Sequence, residues 1–187
     1  MASRQAGGLL ADAVAVVGIA VRGTPLANDL RAYKSDYAAG AAEAAARLRE
    51  MLANYLRDEG DALWRKAGME SGPSVVAVLP SGQGRPGAHP LVRLVASCLD
   101  LPLIGLRINQ KVIHTRGVDV DWLRVAAPVA GADVLVVDDT WVSGGSAQSA
   151  AAALKLAGAR RVAIVVLGRH VKSDDRSLAV APGENLS

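Results

Sequence analysis

The stretch Val134–Ser146 reads VLVVDDTWVSGGS. Its apolar start has the composition of a buried strand, and it stops at two adjacent acids, Asp138 and Asp139. Ser143, Gly144, Gly145 and Ser146 then open an alanine-rich segment. That segment, Ala147 to Ala157, is expected to be a helix closed by Gly158. Glycines let backbone N–H groups come close to an anion, and a helix N-terminus adds partial positive charge. The serine hydroxyls are further donors. A phosphate therefore suits the turn. Asp138 and Asp139 are too negative to hold that phosphate. They suit sugar hydroxyls, or a magnesium ion bridged to them. A ribose 5-phosphate unit meets both demands. A strand end and a helix cap would account for Asp139 or for either serine alone. The whole spacing favours a ligand site.

The same alternation of strand and helix extends outward. Residues 13–21, AVAVVGIAV, read as a first strand bounded by Gly23 and Pro25. From Ala38 to Leu63, Leu48, Met51, Leu52, Tyr55 and Leu56 recur at helical spacing, and the helix is expected to end near Gly60. Ser74 to Leu79 reads as a strand running into PSGQGRPG, with a helix expected from Pro90 to Leu99. Leu103 to Ile108 reads as a strand, 109–125 as a hairpin or mobile loop, Ala132 to Val137 as a strand, and Arg161 to Leu167 as another. The expected fold is α/β, a mainly parallel twisted sheet with helices on both faces. Ligands of such sheets bind at the carboxyl ends of strands, and both unusual loops leave such ends.

Composition agrees. The chain has 187 residues, which suits one domain: a strand and helix region (1–73), a core (74–171) and a loose polar tail (172–187). Apolar residues make up 51%, yet there is no Phe and only three Trp and three Tyr, which fits helices on a Val-rich sheet. The formal charge of +3 fits a phosphate-bearing ligand or weak nucleic-acid contact. The basic cluster Arg160, Arg161, Arg169, His170 and Lys172 lacks aromatic interleaving and reads as a solvated rim, so no nucleic-acid partner is expected. The single cysteine, Cys98, excludes an internal disulfide and reads as a packing residue. Leu9 to Val21 is too short for a membrane span and contains Asp12. No convincing cleavage site follows it, so a cytoplasmic protein without membrane contact is expected.

VLVVDDTWVSGGS resembles the phosphoribosyl-pyrophosphate (PRPP) signature of type I phosphoribosyltransferases: four apolar residues, two acids, three variable positions, then Ser or Thr, a small residue, and shortly another Ser or Thr. Within that family the chain most resembles competence-protein-F-type, amidophosphoribosyltransferase-like members, through DDTWVSGGSAQSAAAALKLAGARRVAIVVLGRHV. The likeness covers 74–171 well and 25–57 weakly, through LRAYKS. It implies that Asp138 and Asp139 hold the ribose 2- and 3-hydroxyls and touch magnesium only indirectly, through those hydroxyls or water. It implies that Val142, Ser143, Gly144, Gly145 and Ser146 cradle the 5-phosphate, with Thr140 and Trp141 in the same loop and Trp141 walling the sugar. Pro80, Ser81, Gly82, Gln83, Gly84 and Arg85 would bind magnesium pyrophosphate, with Arg85 pairing the leaving group. Lys34 would approach the pyrophosphate too; the plain alternative is a solvated lysine before a helix. Lys111 and Arg116, in a loop that closes over substrate in related enzymes, are further candidates. His114 between them reads as structural or solvent-facing. The implied partners are magnesium PRPP and a nitrogen nucleophile, and a homodimer is suggested.

Two departures narrow the reading. Purine-salvage members carry an aspartate three residues after the second acid, where this chain has Val142. The four-cysteine zinc module that often begins competence-type proteins is missing, so zinc is not implied. Two rivals stand beside the enzyme. One is a PRPP-sensing module without turnover. The other is an oxidoreductase that uses GQGRPG, Gly82 to Gly87, as a dinucleotide fingerprint, with Arg107 at the end of the next strand for a 2-phosphate. Pro86 and Pro90 interrupt the helix that the fingerprint needs.

Overall fold

A computed structural model describes residues 8–35, 39–81, 89–113 and 117–171. Strand β1 (Ala13–Val21) is followed by helices α1 (Pro25–Ala32) and α2 (Ala41–Ala67). Then come β2 (Val75–Val78), α3 (Pro90–Ala96), β3 (Leu103–Ile104), β4 (Leu106–Ile108) and β5 (Leu123–Val125). Strand β6 (Asp133–Trp141), helix α4 (Gly145–Leu156) and β7 (Arg161–Val171) complete the order. Five strands form one parallel sheet in the order β1-β7-β6-β2-β3, and β4 and β5 form a separate antiparallel pair. The fold is α/β, with helices on both faces of a parallel sheet.

Two-residue alternation sorts the central strands into two cores. Leu135, Val137, Ala163, Val165 and Leu167 face α1, α2 and α3. Val134, Val136, Val162, Ile164 and Val166 face α4 and the β4–β5 pair. All ten are fully buried, so neither face of β6 or β7 meets water before the acids. Each such Val or Leu contributes about 1.5–3 kcal/mol through burial. On α4, Ala147, Ala150 and Ala151 let the helix lie close to the sheet.

Helix α1 has a seat made by glycine. Gly18 and Gly168 are register partners on β1 and β7. A Cβ at Gly18 would lie 2.6 Å from Leu26 Cδ2, and one at Gly168 would overlap Leu30 Cδ1. Bare backbone at both positions is what admits these two leucines. At its start, the Thr24 side chain caps α1 and Pro25 occupies the first turn. Pro25, read from sequence only as a bound of the first strand, begins a helix.

Several expected boundaries move, and α3 ends at Ala96 rather than Leu99. Helix α2 passes through Gly60 and ends at Gly68, whose φ of +72° lets its N–H return to Arg65. Gly60 is buried, and the apolar face continues through Leu63 and Ala67, so packing outweighs the helix penalty of about 1 kcal/mol for glycine. The expected strand 103–108 divides at Gly105: β3 pairs with β2, and β4 turns away to pair with β5. Arg107 therefore lies opposite Arg124 in the two-stranded pair, not at the end of a strand of the main sheet. Strand β6 does not stop at Val137. It runs to Trp141 because β7 continues beside it, pairing Thr140 with Gly168 and Trp141 with Arg169. β7 itself runs four residues past Leu167.

The basic cluster is divided between the two ends of β7. Arg160 makes a two-pronged pair with the buried Asp133, at 2.9 and 2.6 Å. Arg161 lies 3.6 Å from Asp12, which also pairs with Lys155 at 2.8 Å and accepts the Val162 N–H. Arg169 and His170 sit near the other end, and Lys172 lies outside the described residues. Cys98 packs partly buried against the core, and that burial raises its thiol pKa. Among the described residues no helix is long and apolar enough to cross a membrane.

Candidate functional site

The sheet order places the site. The connection from β2 through α3 leads to β3, on one side of β2. The connection from β6 through α4 leads to β7, on the opposite side of β6. Neighbouring strands whose crossovers diverge leave a crevice outside their carboxyl ends. β2 pairs with β6 up to Val78 and Val137, and a last bond joins the Leu79 N–H to the Val137 carbonyl at 3.2 Å. Beyond it, β6 runs on without β2, still paired with β7, and carries Asp138 to Trp141 along the crevice. Both loops singled out in the sequence leave this point.

Past Trp141 the chain turns into α4. Gly144 is the N-cap, with φ +77°, and as a glycine it makes no side-chain cap bond of its own. A Cβ on Gly144 would overlap the Trp141 ring, so the turn requires glycine twice, for its dihedral and for space. Ser143 Oγ accepts the Gly145 N–H at 3.4 Å. Ser149, buried one turn further on, donates to the Gly145 carbonyl at 2.7 Å and accepts the Asp119 N–H at 2.8 Å. The first turn of α4 is thereby tied to the segment before β5. Val142 is 72% exposed on the outside of the turn.

The two acids point to opposite faces of β6. Asp138 shares its parity with Val134 and Val136, on the α4 side. Its Oδ1 accepts the Asp139 N–H at 2.8 Å. Burial, and then the charge of Asp139, push its pKa up to about 7. Asp139 shares its parity with Leu135 and Val137, on the side of α1 and α3, and is 5% exposed. Lys34 Nζ lies 3.0 Å from its Oδ1 and 2.9 Å from its Oδ2. The Tyr33 hydroxyl donates to Oδ2. His89 Nε2 lies 3.7 Å from the same oxygen. Burial alone would raise the pKa of Asp139, but the Lys34 charge and hydrogen bonds from Tyr33, Lys34 and Thr140 together hold it below the ordinary range.

The local reasons are short-range. Tyr33 is the C-cap of α1, and Lys34 follows it, so the glycine seat under Leu26 and Leu30 carries both to the rim. His89 is the N-cap of α3, with Pro90 next; its Nδ1 accepts the Leu91 N–H at 3.1 Å, which turns Nε2 toward Asp139. The rings of Tyr33 and His89 meet edge-on at 6.3 Å. A cavity of about 410 Å³ opens beside this cluster, between α2 and α3, and shares Tyr33 with it; Arg49 and Arg93 also line it.

Of the residues expected from sequence, Asp138, Asp139, Thr140, Trp141, Val142, Ser143, Gly144, Gly145 and Ser146 lie on the crevice rim, and Lys34 joins them through Asp139. Pro80 and Ser81 leave β2 at the same rim. Gly82, Gln83, Gly84 and Arg85 lie outside the described residues, as do His114 and Arg116 and the whole GQGRPG motif. Lys111 is exposed in the segment between β4 and β5, where its N–H is held by the Asn109 side chain. Tyr33, His89 and Ser149 had not been singled out. Tyr33 stood within LRAYKS and His89 directly before a proline, the only sequence signals for either.

No protein-family model matches the chain, and no curated protein matches it. Solved structures do. A phosphoribosylpyrophosphate synthetase from Mycobacterium smegmatis is 22% identical, with a TM-score of 0.41, over 65% of this chain and 33% of its own. This chain thus spans about a third of that protein. A purine phosphoribosyltransferase from Pyrococcus horikoshii is 20% identical, with a TM-score of 0.42, over 70% and 87%. An orotate phosphoribosyltransferase from Mycobacterium tuberculosis, solved with PRPP, is 18% identical, with a TM-score of 0.41, over 81% and 90%. Identities and scores this low leave function to be read from the residues of this chain.

Among the described residues no group of three or more His, Cys, Asp or Glu side chains is placed to hold a metal. Magnesium in phosphate sites needs less, since it keeps several waters and takes one or two carboxylates beside the substrate's own phosphates. The carboxylates at the β6 rim fit that requirement.

Proposed function

We propose that the chain is a phosphoribosyltransferase-type protein that binds magnesium PRPP in the β2–β6 crevice and transfers its ribose 5-phosphate to a nitrogen nucleophile. One observation carries the reading. A single strand end at the switch point of the sheet presents two carboxylates, a helix N-terminus whose N-cap is a glycine flanked by serines, and, through Asp139, the cation of Lys34. Those are the complements of a sugar, a phosphate and a second anionic group.

The chemistry is substitution at the ribose anomeric carbon. The bond from C1 to the pyrophosphate oxygen breaks, the bond to nitrogen forms, and the nucleophile gives up a proton. Positive charge develops on the ribose and negative charge on the departing pyrophosphate. The N–H groups at the start of α4 and the Ser143 and Ser146 hydroxyls hold the 5-phosphate and so fix the sugar. Asp138 serves the sugar hydroxyls and, through water, the metal, while Asp139 pairs with Lys34. Lys34 faces the leaving group, and Arg85, by the resemblance, would pair with it. Magnesium, when bound, neutralises pyrophosphate as it leaves. Val142 stands where purine-salvage enzymes carry an acid, which argues for an acceptor that needs no proton removed at that position.

The test is titration calorimetry of the full chain with PRPP and magnesium. Binding that is lost in Asp138→Asn/Asp139→Asn is the expected result, and no binding by the wild-type chain would sink the proposal. Pyrophosphate release with ammonia, glutamine and a panel of bases then reads turnover. Binding without release would favour a PRPP-sensing module. NADPH binding without PRPP binding would favour the dinucleotide reading.

A further inference from the structure

We infer that the two acids divide their work by face: Asp139 is the anchor that aims Lys34 at an anionic leaving group, Tyr33 is the positioning residue that holds Asp139, and Asp138 is left to the sugar. This rests on the proposed PRPP site and assigns its parts.

Strand geometry comes first. Successive side chains of β6 point to opposite faces, so Asp138 emerges beside the α4 turn and Asp139 beside α1 and α3. The 5-phosphate cradle belongs to α4. A sugar whose phosphate sits on that cradle meets Asp138 on the same side. His89, at the head of α3, lies on the side of Asp139.

Occupancy comes second. Asp139 is 5% exposed, and its oxygens already accept from Lys34, Tyr33 and Thr140, with His89 at 3.7 Å. A carboxylate offers about four acceptor positions, and few remain for a ribose. Lys34 is different. Its side chain is 35% exposed, so the ammonium can face a ligand while Asp139 holds it from behind. A lysine on a four-carbon stem gains a fixed direction only from such a partner.

The partner must itself be fixed. Tyr33 is 4% exposed and packed in the core, and its hydroxyl sets the rotation of the Asp139 carboxylate. Removing that hydroxyl frees Asp139 to turn, and Lys34 turns with it.

The experiment is calorimetry on the full chain with two probes, magnesium pyrophosphate and ribose 5-phosphate. Tyr33→Phe and Lys34→Met are expected to weaken pyrophosphate binding about tenfold, the scale of a lost hydrogen bond to a charged group, with ribose 5-phosphate affinity changing less than about twofold. Asp139→Asn should follow Lys34→Met, and Asp138→Asn should do the reverse. Tyr33→Phe added to Lys34→Met should cost nothing further, because both act through one cation. Melting curves check that each variant folds. If Asp139→Asn does not fold, Tyr33→Phe, which keeps the ring, decides. Loss of ribose 5-phosphate affinity in Tyr33→Phe or Asp139→Asn, equal to the loss for pyrophosphate, overturns the inference and leaves the PRPP reading standing. A wild-type chain that binds neither probe brings down both.

Discussion

Gly168→Ala tests how the sheet delivers the cation to the site. The new methyl group would overlap Leu30 Cδ1 and lie 3.4 Å from Ala20 Cβ. Ordinary carbon contacts begin at about 3.5 Å, so Leu30 must retreat by about 1 Å. Leu30 is 2% exposed and packed within the core, so α1 moves with it. Overpacking of this kind costs about 1–3 kcal/mol. In a chain of this length that lowers Tm by roughly 2–4 °C per kcal/mol. Tyr33 and Lys34 sit just past α1 and are displaced too, so pyrophosphate affinity should fall while ribose 5-phosphate affinity holds. Thermal unfolding of Gly168→Ala, Leu30→Ala and the double variant is the assay. Leu30→Ala alone leaves a cavity and costs about 2–5 kcal/mol. In its background the added methyl has room, and Gly168→Ala should cost less than about 0.5 kcal/mol. An equal cost in both backgrounds would refute the account of the glycine seat.

Other outcomes follow from the rim. Gly144→Ala should lower stability by about 1–2 kcal/mol from its left-handed backbone alone, more if Trp141 cannot move, and should abolish ribose 5-phosphate binding in calorimetry. Asp138 has a folded pKa of about 7 against an ordinary 3.8, so its stabilising contribution is complete below pH 3.8 and disappears as pH rises through 7. Asp138→Asn escapes that loss, and urea melts without magnesium should show its advantage over wild type widening by about 2–3 kcal/mol from pH 5 to pH 8; a constant gap would contradict the shift. Asp139 shifts the other way: its contribution is present above pH 3.8 and lost as pH falls through its lowered pKa, so Asp139→Asn should be least harmful in acid. In Asp139→Asn the repulsion on Asp138 is also gone, and NMR titration should find the Asp138 pKa lowered.

Much of the architecture was legible because it rests on local pattern. Continuous Val runs mark strands buried on both faces, and β1 matches its expected bounds residue for residue. The errors share one cause. Gly60, the acids at 138 and 139, and the run 103–108 were judged by propensity, whereas neighbours decided them. Trp64 and a continuing apolar face carry α2 through Gly60. β7 carries β6 past the acids, and Gly105 lets the chain leave one sheet for another.

The site divides in the same way. Sequence alone determined its chemistry, acids followed by a glycine-serine turn before a helix, because those demands are met within thirteen consecutive residues. Tertiary structure decided which acid faces which neighbour. Alternation along β6 is local, but what waits on each side is not: Tyr33 and Lys34 are more than a hundred residues away from Asp139. Only the glycine seat for α1 and the divergence of two crossovers bring them to it. Contacts at that separation leave no periodicity in a single chain to read.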